Sequence, residues 1–404
     1  MKIIVQKFGG TSVATKGKRK MCFEHIKGAI NKGYKVVVVL SAMGRKGEPY
    51  ATDTLINIAP LSKGREKDLL MITGEIISAS VFSSELKEVE IESKVLTGGQ
   101  AGILTNSSFN DASIIGLRPE KILKEFESVN VIVVTGFQGM TKDYEFTTLG
   151  RGGSDTSATA LGAALNAEYV DIFTDVDGIM TADPRIVTDA KILEKVTYTE
   201  ICNLAHMGAK VIHPRAVEIA MQYNTPIRVR STFSQGEGTL ITNQSELNLD
   251  GRAGNKQYLT GITQTEEIVQ FVISEPIETE KQHIMFDEID KKNISLDLIN
   301  ITPTTIGFTV KNEDSQKVNN ILVTLEINFT LREDVTKISL VGSGMTGASG
   351  VVSKIVSTLY ENNISILQTS DSHTTIWVLV PKEDAKNAIC LLHNAFYLNE
   401  IIVR

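Results

Sequence analysis

Residues 150–165 read GRGGSDTSATALGAAL, and this stretch decides the fold that the sequence predicts. Three glycines and one arginine lead directly into an alanine-rich helix. Glycine permits tight turns and close approach to a ligand, and the free N–H groups at the start of a helix attract an anion. Arg151 adds a planar guanidinium that suits a carboxylate or a phosphate. The stretch therefore predicts an anion site at a loop-to-helix corner.

Asp155, the acidic residue of this corner, needs its own explanation, because a carboxylate repels an anion. One interpretation is that Ser154 or Asp155 caps the helix that follows. The alternative is that Asp155 holds a cation or a catalytic lysine, as phosphoryl transfer requires. The sequence leaves both interpretations open.

The chain begins with a candidate partner for this corner, MKIIVQKFGGTSV. An apolar strand leads to Lys7, and Gly9 and Gly10 follow. A lysine at the end of a buried strand can reach phosphate oxygens while backbone N–H groups surround them. The alternative is a solvated lysine beside an ordinary turn. The Walker A pattern GxxxxGK[ST] does not occur in the sequence, so this is not a P-loop.

Composition and charge exclude several classes of protein. The chain has 404 residues, of which 42% are hydrophobic and 22% charged, as expected for two or three globular domains. A net charge of −7 argues against a nucleic-acid partner. We expect no membrane span and no signal peptide, because the apolar runs are short. Three scattered cysteines and six histidines without ligand spacing predict reduced thiols, a cytoplasmic location and no metal site.

Up to about residue 245, the predicted strands and helices alternate. This order is typical of an α/β fold with a mostly parallel sheet sandwiched by helices. The apolar patterns predict strands over 34–40, 130–135 and 169–174, and helices over 67–86 and 155–166. Ligands of such sheets bind at the carboxyl ends of the strands. Four candidate residues fall at these ends, namely Lys7, Ser41, Gly136 and Thr174.

The C-terminal part contains an internal repeat with an offset of 70 residues. A polar linker over 243–258 precedes it. The repeated pairs are Asn293-Ile294-Ser295 with Asn363-Ile364-Ser365, Thr304-Thr305-Ile306 with Thr374-Thr375-Ile376, and Glu313-Asp314 with Glu383-Asp384. A repeat of this length predicts two copies of a ferredoxin-like βαββαβ domain. We therefore expect domains over 1–245, 259–333 and 334–404.

Five motifs in this order resemble those of the aspartokinases, a branch of the amino acid kinase family. They are KFGGTS (7–12), SAMG (41–44), GE (74–75), GRGGSD (150–155) and TDVDGIMTADPR (174–185). The resemblance covers essentially the whole chain and is closest to the monofunctional, diaminopimelate-sensitive aspartokinase I type. It implies an amino acid kinase domain followed by two ACT domains. It also implies that MgATP phosphorylates the side-chain carboxylate of L-aspartate, the first step towards lysine, diaminopimelate, threonine and methionine.

The resemblance also assigns site residues, with Lys7 and Asp155 as the catalytic pair. The residues implied for ATP are Lys7, Phe8, Gly9, Gly10, Ser41, Ser154, Thr174, Asp175, Met180, Thr181, Ala182, Asp183, Pro184, Arg185 and Lys210. Those implied for aspartate are Thr52, Glu75, Arg151, Gly152, Gly153 and Ser154. Glu75 would take the α-ammonium group, and Arg151 a carboxylate.

Several of these residues have simpler explanations. Ser41 is also a candidate turn or helix cap. Glu75 is a candidate N-terminal acid stabilised by the helix dipole. Asp183, directly before Pro184, is a candidate Asx turn. Lys210 carries no information by itself.

The repeat matches the effector region of the family at Asn293, Ser295 and Asp297. The first copy departs from the family pattern, because Glu275-Pro276-Ile277 lacks the glycine of the usual Asp-x-Pro-Gly turn. Isoleucine does not easily adopt a positive φ. The effector therefore stays open among diaminopimelate, lysine and threonine. ACT domains also imply a homodimer or a larger assembly.

Two other functions compete with an aspartate kinase. One is another acyl-phosphate-forming kinase of the superfamily, such as a glutamate or acetylglutamate kinase. The other is an amino-acid-sensing protein that has lost catalysis, although every charged position that the chemistry needs is present. All three depend on whether Lys7 and Asp155 line one crevice.

Overall fold

The first 243 residues build a mostly parallel sheet of eight strands beside a small sheet of four. This computed structural model describes residues 1–209, 211–243, 259–342, 345 and 350–400. The strands of the first part are β1 (Lys2–Phe8), β2 (Tyr34–Leu40), β3 (Ser93–Leu96), β4 (Ile103–Thr105), β5 (Ile114–Leu117), β6 (Val131–Thr135), β7 (Gln138–Met140), β8 (Phe146–Thr148), β9 (Val170–Thr174), β10 (Lys195–Thr197), β11 (Ile227–Ser231) and β12 (Thr239–Thr242). The large sheet has the order β10-β12-β11-β9-β1-β2-β6-β3, and the small sheet the order β5-β4-β7-β8.

Helices cover both faces of the large sheet, as the alternation predicts. They are α1 (Gly10–Val13), α2 (Lys16–Asn31), α3 (Thr52–Ile58), α4 (Gly64–Lys87), α5 (Glu120–Glu125), α6 (Gly153–Ala164), α7 (Tyr198–His206) and α8 (Pro214–Tyr223). Strand β2 shows why two layers are needed. Val36, Val38 and Leu40 join the core with α2 and α4, whereas Val37 and Val39 join the core with α6 and α8. A buried parallel strand is apolar on both faces for this reason.

The expected fold class is confirmed, and so are the five predicted elements. Strand β2 has the predicted bounds, and α4 extends the predicted helix by a few residues. The parallel pairings β1 with β2, β1 with β9 and β2 with β6 bring the carboxyl ends of these strands to one edge. This edge therefore collects the residues that follow each strand.

Helix α4 differs from the expectation that no apolar run is long enough to cross a membrane. With 24 residues, α4 is long enough to cross a membrane, and its most apolar stretch has a mean hydropathy of 1.4. Core helices of globular proteins also reach this length and hydropathy, and half of that apolar stretch is buried within the protein. Asp68 and Glu75 are buried along α4, which is the pattern of a core helix with polar functions.

The C-terminal part forms a second sheet of six strands with helices packed against it. Its elements are β13 (Gly261–Ile273), α9 (Thr279–Lys291), β14 (Asp297–Ile301), β15 (Ile306–Lys311), α10 (Asn312–Thr324), β16 (Thr330–Val341), α11 (Val351–Glu361), β17 (Gln368–Asp371), β18 (Thr375–Pro381) and α12 (Ala385–Ala395). The strand order is β14-β15-β13-β16-β18-β17. Equivalent asparagines of the two copies, Asn293 and Asn363, end α9 and α11 with φ of 53° and 57°. The sequence repeat is thus a structural repeat.

The two copies share their long strands. Strand β13 pairs with β16 over residues 261–265 and again over 268–272, and its residues 268–273 pair with β15 on the other edge. The boundary that we propose near residue 333 therefore lies within the continuous strand β16. Residues 244–258 of the proposed linker over 243–258 lie outside the described residues, as do residues 401–404 and most of the glycine-rich turn over 342–350.

Candidate functional site

Lys7 and Asp155 meet in the crevice at the carboxyl edge of the large sheet. Nζ of Lys7 lies 2.6 Å from Oδ1 of Asp155, and each side chain is 13% exposed. Helix α6 begins at Gly153, and its N-cap residue Gly152 has no side chain to donate or accept. The capping interpretation of Ser154 and Asp155 is therefore wrong. Asp155 instead pairs with the lysine, as the alternative predicts.

The two glycines after Lys7 bring the backbone close to a neighbouring loop. Gly44 N donates to the carbonyl of Gly10 at 3.0 Å, and Ser41 N donates to the carbonyl of Phe8 at 3.2 Å. A Cβ atom on Gly10 would lie 2.5 Å from the Gly44 carbonyl oxygen, so only glycine fits there. Phe8 itself stacks on Phe173 in the core, and its side chain does not face the crevice.

Glu75 is buried in the middle of α4, not at its N-terminus, so the interpretation as a dipole-stabilising acid is wrong. Its Oε1 accepts from Ala42 N at 3.1 Å, directly after Ser41 at the end of β2. Its Oε2 is buried and has no hydrogen-bond partner among the described residues. Burial raises the pKa of Glu75 to about 8. An unpartnered buried carboxyl oxygen is well suited to an incoming cationic group.

The Arg151 corner follows strand β8 of the small sheet. Gly150 and Gly152 both have φ of 71°, a conformation that glycine adopts readily. A Cβ atom on Gly152 would overlap the ring of His213. Arg151 is exposed, and within the described residues no ion pair reaches its guanidinium. Ser154, the second residue of α6, lies beside Gly136, which directly follows β6.

Thr174 and Asp175 follow β9 at the same edge. The Asp175 carboxylate pairs with Nη2 of Arg45 at 2.6 Å, and both side chains are largely exposed. An open cavity of about 280 Å³ borders this pair. Among the residues that line it are Thr11, Lys18 and Phe233. Thr52 is half-buried at the start of α3, in the segment between Arg45 and α4.

The segment after Asp175 contributes less to the crevice than the resemblance implies. Thr181 is fully buried, and its Oγ1 contacts Nε2 of His393 in α12 at 2.9 Å. Its backbone bonds to Lys191 and Ile262. Ala182 joins the core of the second repeat, and Met180 packs against it. Thr181 and Ala182 thus attach this segment to the C-terminal sheet.

Asp183 forms the Asx turn that the sequence allows, because its Oδ1 accepts from Arg185 N at 2.9 Å. The Arg185 guanidinium also hydrogen-bonds to it and holds the pKa of the Asp183 carboxyl below its usual range. Pro184 and Arg185 are exposed. Lys210 lies outside the described residues.

The residues of the expected effector region lie away from this crevice, on the C-terminal sheet. Asn293 and Ser295 are exposed after α9. Asp297 pairs with Lys337, whose side chain is almost fully buried. Ile277 keeps a negative φ and packs against the core of the first copy, which agrees with the missing glycine.

Two contacts and one buried acid were not predicted from the sequence. Arg45 reaches Asp175 across 130 residues, and Lys337 reaches Asp297 across 40. Asp68 is fully buried on the helix that carries Glu75. Only Asp68 left a trace in the sequence, as a second acid seven residues before Glu75 in an apolar helix.

Neither a metal cluster nor a disulfide is found in the part of the chain that the structure describes. No group of three or more His, Cys, Asp or Glu residues there is arranged to hold a metal ion. The three cysteines are free, and burial raises the pKa of Cys202 to about 11. The crevice is thus built from single charges at the ends of strands.

Family models match both parts of the chain. Residues 2–231 match the amino acid kinase family, and residues 330–394 match an ACT domain. The chain is 50% identical to aspartokinase 1 of Bacillus subtilis over 99% of this chain and all of that protein. It is 38% identical to aspartokinase 2 of the same organism, over 99% of both chains.

Solved structures show the same fold over the full length. Aspartokinase III of E. coli in complex with lysine and aspartate superposes with a TM-score of 0.77 at 25% identity, covering 98% of this chain and 99% of that one. Aspartate kinase of Clostridium acetobutylicum gives a TM-score of 0.79 at 21% identity, with 97% and 100% covered. With the paired lysine and aspartate at the edge of the sheet and a family match over most of the first part, the chain belongs to the amino acid kinase family and, within it, to the aspartokinases, ATP-dependent kinases of aspartate that carry ACT domains.

Proposed function

We propose that the crevice between Lys7, Glu75 and Arg151 is the site where the γ-phosphoryl group of ATP passes to the β-carboxylate of L-aspartate. The product is 4-phospho-L-aspartate, with ADP as the leaving group. The observation that carries this proposal is the Lys7–Asp155 pair at 2.6 Å, at the strand edge where Glu75 is buried. Within the pair, Lys7 supplies the positive charge for the phosphate oxygens, and Asp155 fixes the position of its amine.

Lys7 stabilises the charge on the transferring phosphoryl group, and Asp155 holds its amine in place. Phosphoryl transfer needs alignment and charge neutralisation more than covalent help from the protein. Gly9 and Gly10 offer backbone N–H groups, and Ser41 and Ser154 offer hydroxyl groups to the phosphates. Because the β-carboxylate of aspartate is ionised near neutral pH, the nucleophile needs no general base.

Glu75 and Arg151 grip the ends of the amino acid that do not react. The unpartnered Oε2 of Glu75 accepts from the α-ammonium group, and this contact favours the ionised carboxylate. Arg151 takes the α-carboxylate in a bidentate contact, which a lysine would not reproduce. Gly152 and Gly153 let the backbone approach the substrate, and Thr52 lies in the segment that covers α4.

Thr174, Asp175 and Arg185 form the nucleotide side, together with Lys210, which the structure does not describe. The cavity beside Asp175 and its cationic residues Lys18 and Arg45 support this assignment. Magnesium would be held mainly by the phosphates of the nucleotide, as is usual for this ion, with Asp155 as the nearest fitting carboxylate. When bound, it neutralises phosphate charge.

We further propose regulation by an amino acid bound to the C-terminal sheet near Asn293, Ser295 and Asp297. The complex of E. coli aspartokinase III with lysine supports a ligand of this class. Lysine, diaminopimelate and threonine all fit that class. Edge strand β14 exposes Ile299 and Ile301, which supports assembly into a homodimer or larger homo-oligomer. Free cysteines support a cytoplasmic location.

The test is a steady-state assay of ADP release with MgATP and aspartate, glutamate or N-acetylglutamate. The expected result is a much higher kcat/KM with aspartate than with glutamate or N-acetylglutamate, and the reverse preference would refute the assignment. Repeating the assay with lysine, diaminopimelate and threonine identifies the effector. Sedimentation at micromolar concentration tests assembly, and a monomer would contradict it.

A further inference from the structure

We propose that Asp68 is a positioning residue that fixes where Glu75 and Arg151 hold the α-groups of the amino acid relative to Lys7, and so selects aspartate over glutamate. This inference rests on the roles proposed above for Glu75 and Arg151. Asp68 itself does not touch the substrate in this proposal. It acts through the backbone that carries Arg151.

Asp68 is a fully buried carboxylate that accepts hydrogen bonds from two residues, Asn110 and Thr148. It accepts from the backbone N–H of Asn110 at 3.0 Å and from its Nδ2 at 2.7 Å. It also accepts from the backbone N–H of Thr148 at 3.1 Å and from its Oγ1 at 2.6 Å. No lysine or arginine forms an ion pair with Asp68 within the described residues. A buried charge without a counter-ion is costly, so this set of four donors must be kept intact.

The contacts of Asp68 connect the two residues that we propose hold the substrate, Glu75 and Arg151. Asp68 and Glu75 lie seven residues apart on α4, which places them on the same helix face about 10.5 Å apart along the axis. Thr148 is the last residue of β8, three residues before Arg151. Helix α4 thus carries the proposed ammonium acceptor and, through Asp68, the strand end that leads to the proposed carboxylate donor.

A second set of hydrogen bonds, donated by Arg215, holds the same backbone. Nη1 of Arg215 donates to the Leu149 carbonyl at 3.1 Å, and its Nη2 donates to the Ala112 carbonyl at 3.0 Å. Ala112 N donates in turn to the Thr148 carbonyl at 2.8 Å. Leu149 N donates to the Phe137 carbonyl at 2.9 Å. The peptide groups directly before Gly150 are therefore fixed, although the Arg151 side chain is exposed.

The donors of Asn110 and Thr148 explain why residue 68 must be a carboxylate and not an amide. Asn110 has φ of 73°, and its Nδ2 bonds both to Asp68 and to the Gly64 carbonyl at 2.9 Å. The loop 106–113 is thus tied to the first turn of α4 as well as to β8. An amide in place of the carboxylate would present N–H donors to the N–H groups of Asn110 and Thr148, and at least one bond would be lost.

Specificity follows from this rigidity. Glutamate exceeds aspartate by one methylene, a difference that binding sites discriminate by roughly 10–200-fold. That discrimination requires the distance from Glu75 and Arg151, which hold the α-groups, to Lys7, where the side-chain carboxylate reacts, to be held within a fraction of an ångström. Glu75 is already tied to that edge, because it accepts from Ala42 N after β2. Ser41 N in turn donates to the Phe8 carbonyl next to Lys7. A loosened corner accepts the longer substrate at a smaller penalty and holds the shorter one less well.

The experiment compares Asp68→Asn with wild-type enzyme for both substrates. We expect KM for aspartate to rise about tenfold and the kcat/KM ratio of aspartate to glutamate to fall about tenfold, with KM for ATP within twofold. Thr148→Val, which removes only the hydroxyl donor, should give a smaller shift of the same kind, and Thr148→Ser should restore the wild-type ratio. If Asp68→Asn does not fold, the Thr148 pair carries the test.

Asp171→Asn is the matched control, because Asp171 is a buried carboxylate held by Arg228 at 2.8 Å on strand β9. It should lower thermal stability without changing the substrate ratio. If the kcat/KM ratio of aspartate to glutamate is unchanged in Asp68→Asn and Thr148→Val while stability is lowered as in the control, Asp68 has only a structural role. If Arg151→Ala also leaves KM for aspartate unchanged, the proposed grip itself is wrong. If Arg151→Ala raises it while the Asp68 and Thr148 variants do not change the ratio, only this inference is wrong.

Discussion

The two sides of the crevice differ in how their charges are balanced. On the phosphoryl side, made of Lys7, Gly9, Gly10 and Asp155, the charges already neutralise each other. On the amino acid side, made of Glu75 and Arg151, no described residue balances either charge, and Glu75 keeps a raised pKa through burial. Under the function that we propose, the first side is preorganised for a transition state, and the second is completed by the substrate. Removing a group should therefore affect turnover on one side and binding on the other.

The largest effect is expected on the phosphoryl side. Lys7→Ala removes one preorganised positive charge and should lower kcat by about 10²–10³-fold, with a small change in KM for aspartate. Lys2→Ala is the control, because Lys2 lies on the same strand but is exposed and only loosely paired with Glu168. Near-normal turnover of Lys7→Ala would remove the proposed catalytic role.

Arg151→Ala should act mainly on binding. Loss of a charge-assisted bidentate contact should raise KM for aspartate by roughly 10–100-fold and leave KM for ATP nearly unchanged. Arg151→Lys, which keeps the charge but not the fork, should lie between the two. Equal increases in both KM values would instead identify Arg151 as a phosphate ligand and erase the contrast between the sides.

The raised pKa of Glu75 makes aspartate capture depend on pH. Glu75 must ionise to accept the ammonium group, so kcat/KM for aspartate should rise about fivefold between pH 7 and pH 8. The folded protein holds this proton more tightly than the unfolded chain. The contribution of Glu75 to stability is therefore fully present below about pH 4.5 and is lost as pH rises through about 8.

Glu75→Gln tests both parts of this prediction. Because glutamine cannot ionise, kcat/KM of this variant for aspartate should not rise between pH 7 and pH 8. The melting temperature of the free variant should likewise lack the decrease with rising pH that Glu75 causes in the wild-type enzyme. A wild-type profile that is flat from pH 6.5 to 8.5 would show that Glu75 is already charged, and the two sides would then be alike.

The smallest effect is expected at Asp183, on the nucleotide segment. Asn retains the Asx turn to Arg185 N and loses only an exposed ion pair, which is worth little. Asp183→Asn should therefore change KM for ATP by less than about threefold, whereas Asp183→Ala should do more because the turn is lost. A tenfold increase with Asn would point to direct contact between this carboxylate and the nucleotide.

Much of the fold was predictable because the patterns that specify it are local. The run from Tyr34 to Leu40 is apolar on both faces, and this alone indicates a buried parallel strand. The 70-residue offset likewise predicted two similar copies, and the left-handed Asn293 and Asn363 confirm it. Sharing of β13 and β16 between the copies was not predictable, because strand pairing depends on contacts distant in sequence.

The candidate site was predictable in its members but not in its connections. The sequence identified Lys7 and Asp155 as candidate site residues from their chemistry. Their contact forms only when tertiary folding brings the end of β1 next to the start of α6. The interpretation of Glu75 as a helix-end acid was wrong, because Glu75 lies in the middle of α4. Its burial depends on tertiary packing, which the sequence does not show. The two sets of hydrogen bonds that hold the Arg151 corner cannot be predicted from the sequence, because Asp68 and Arg215 approach it from separate helices.

The sequence by itself determined the order of strands and helices, the repeat and the set of chemical groups, because periodicity and residue type are properties of short segments. The tertiary structure alone decided which charges meet, which stay unpaired and how acidic Glu75 is. Those properties depend on distance and burial, and residues 148 positions apart become neighbours only when the chain has folded.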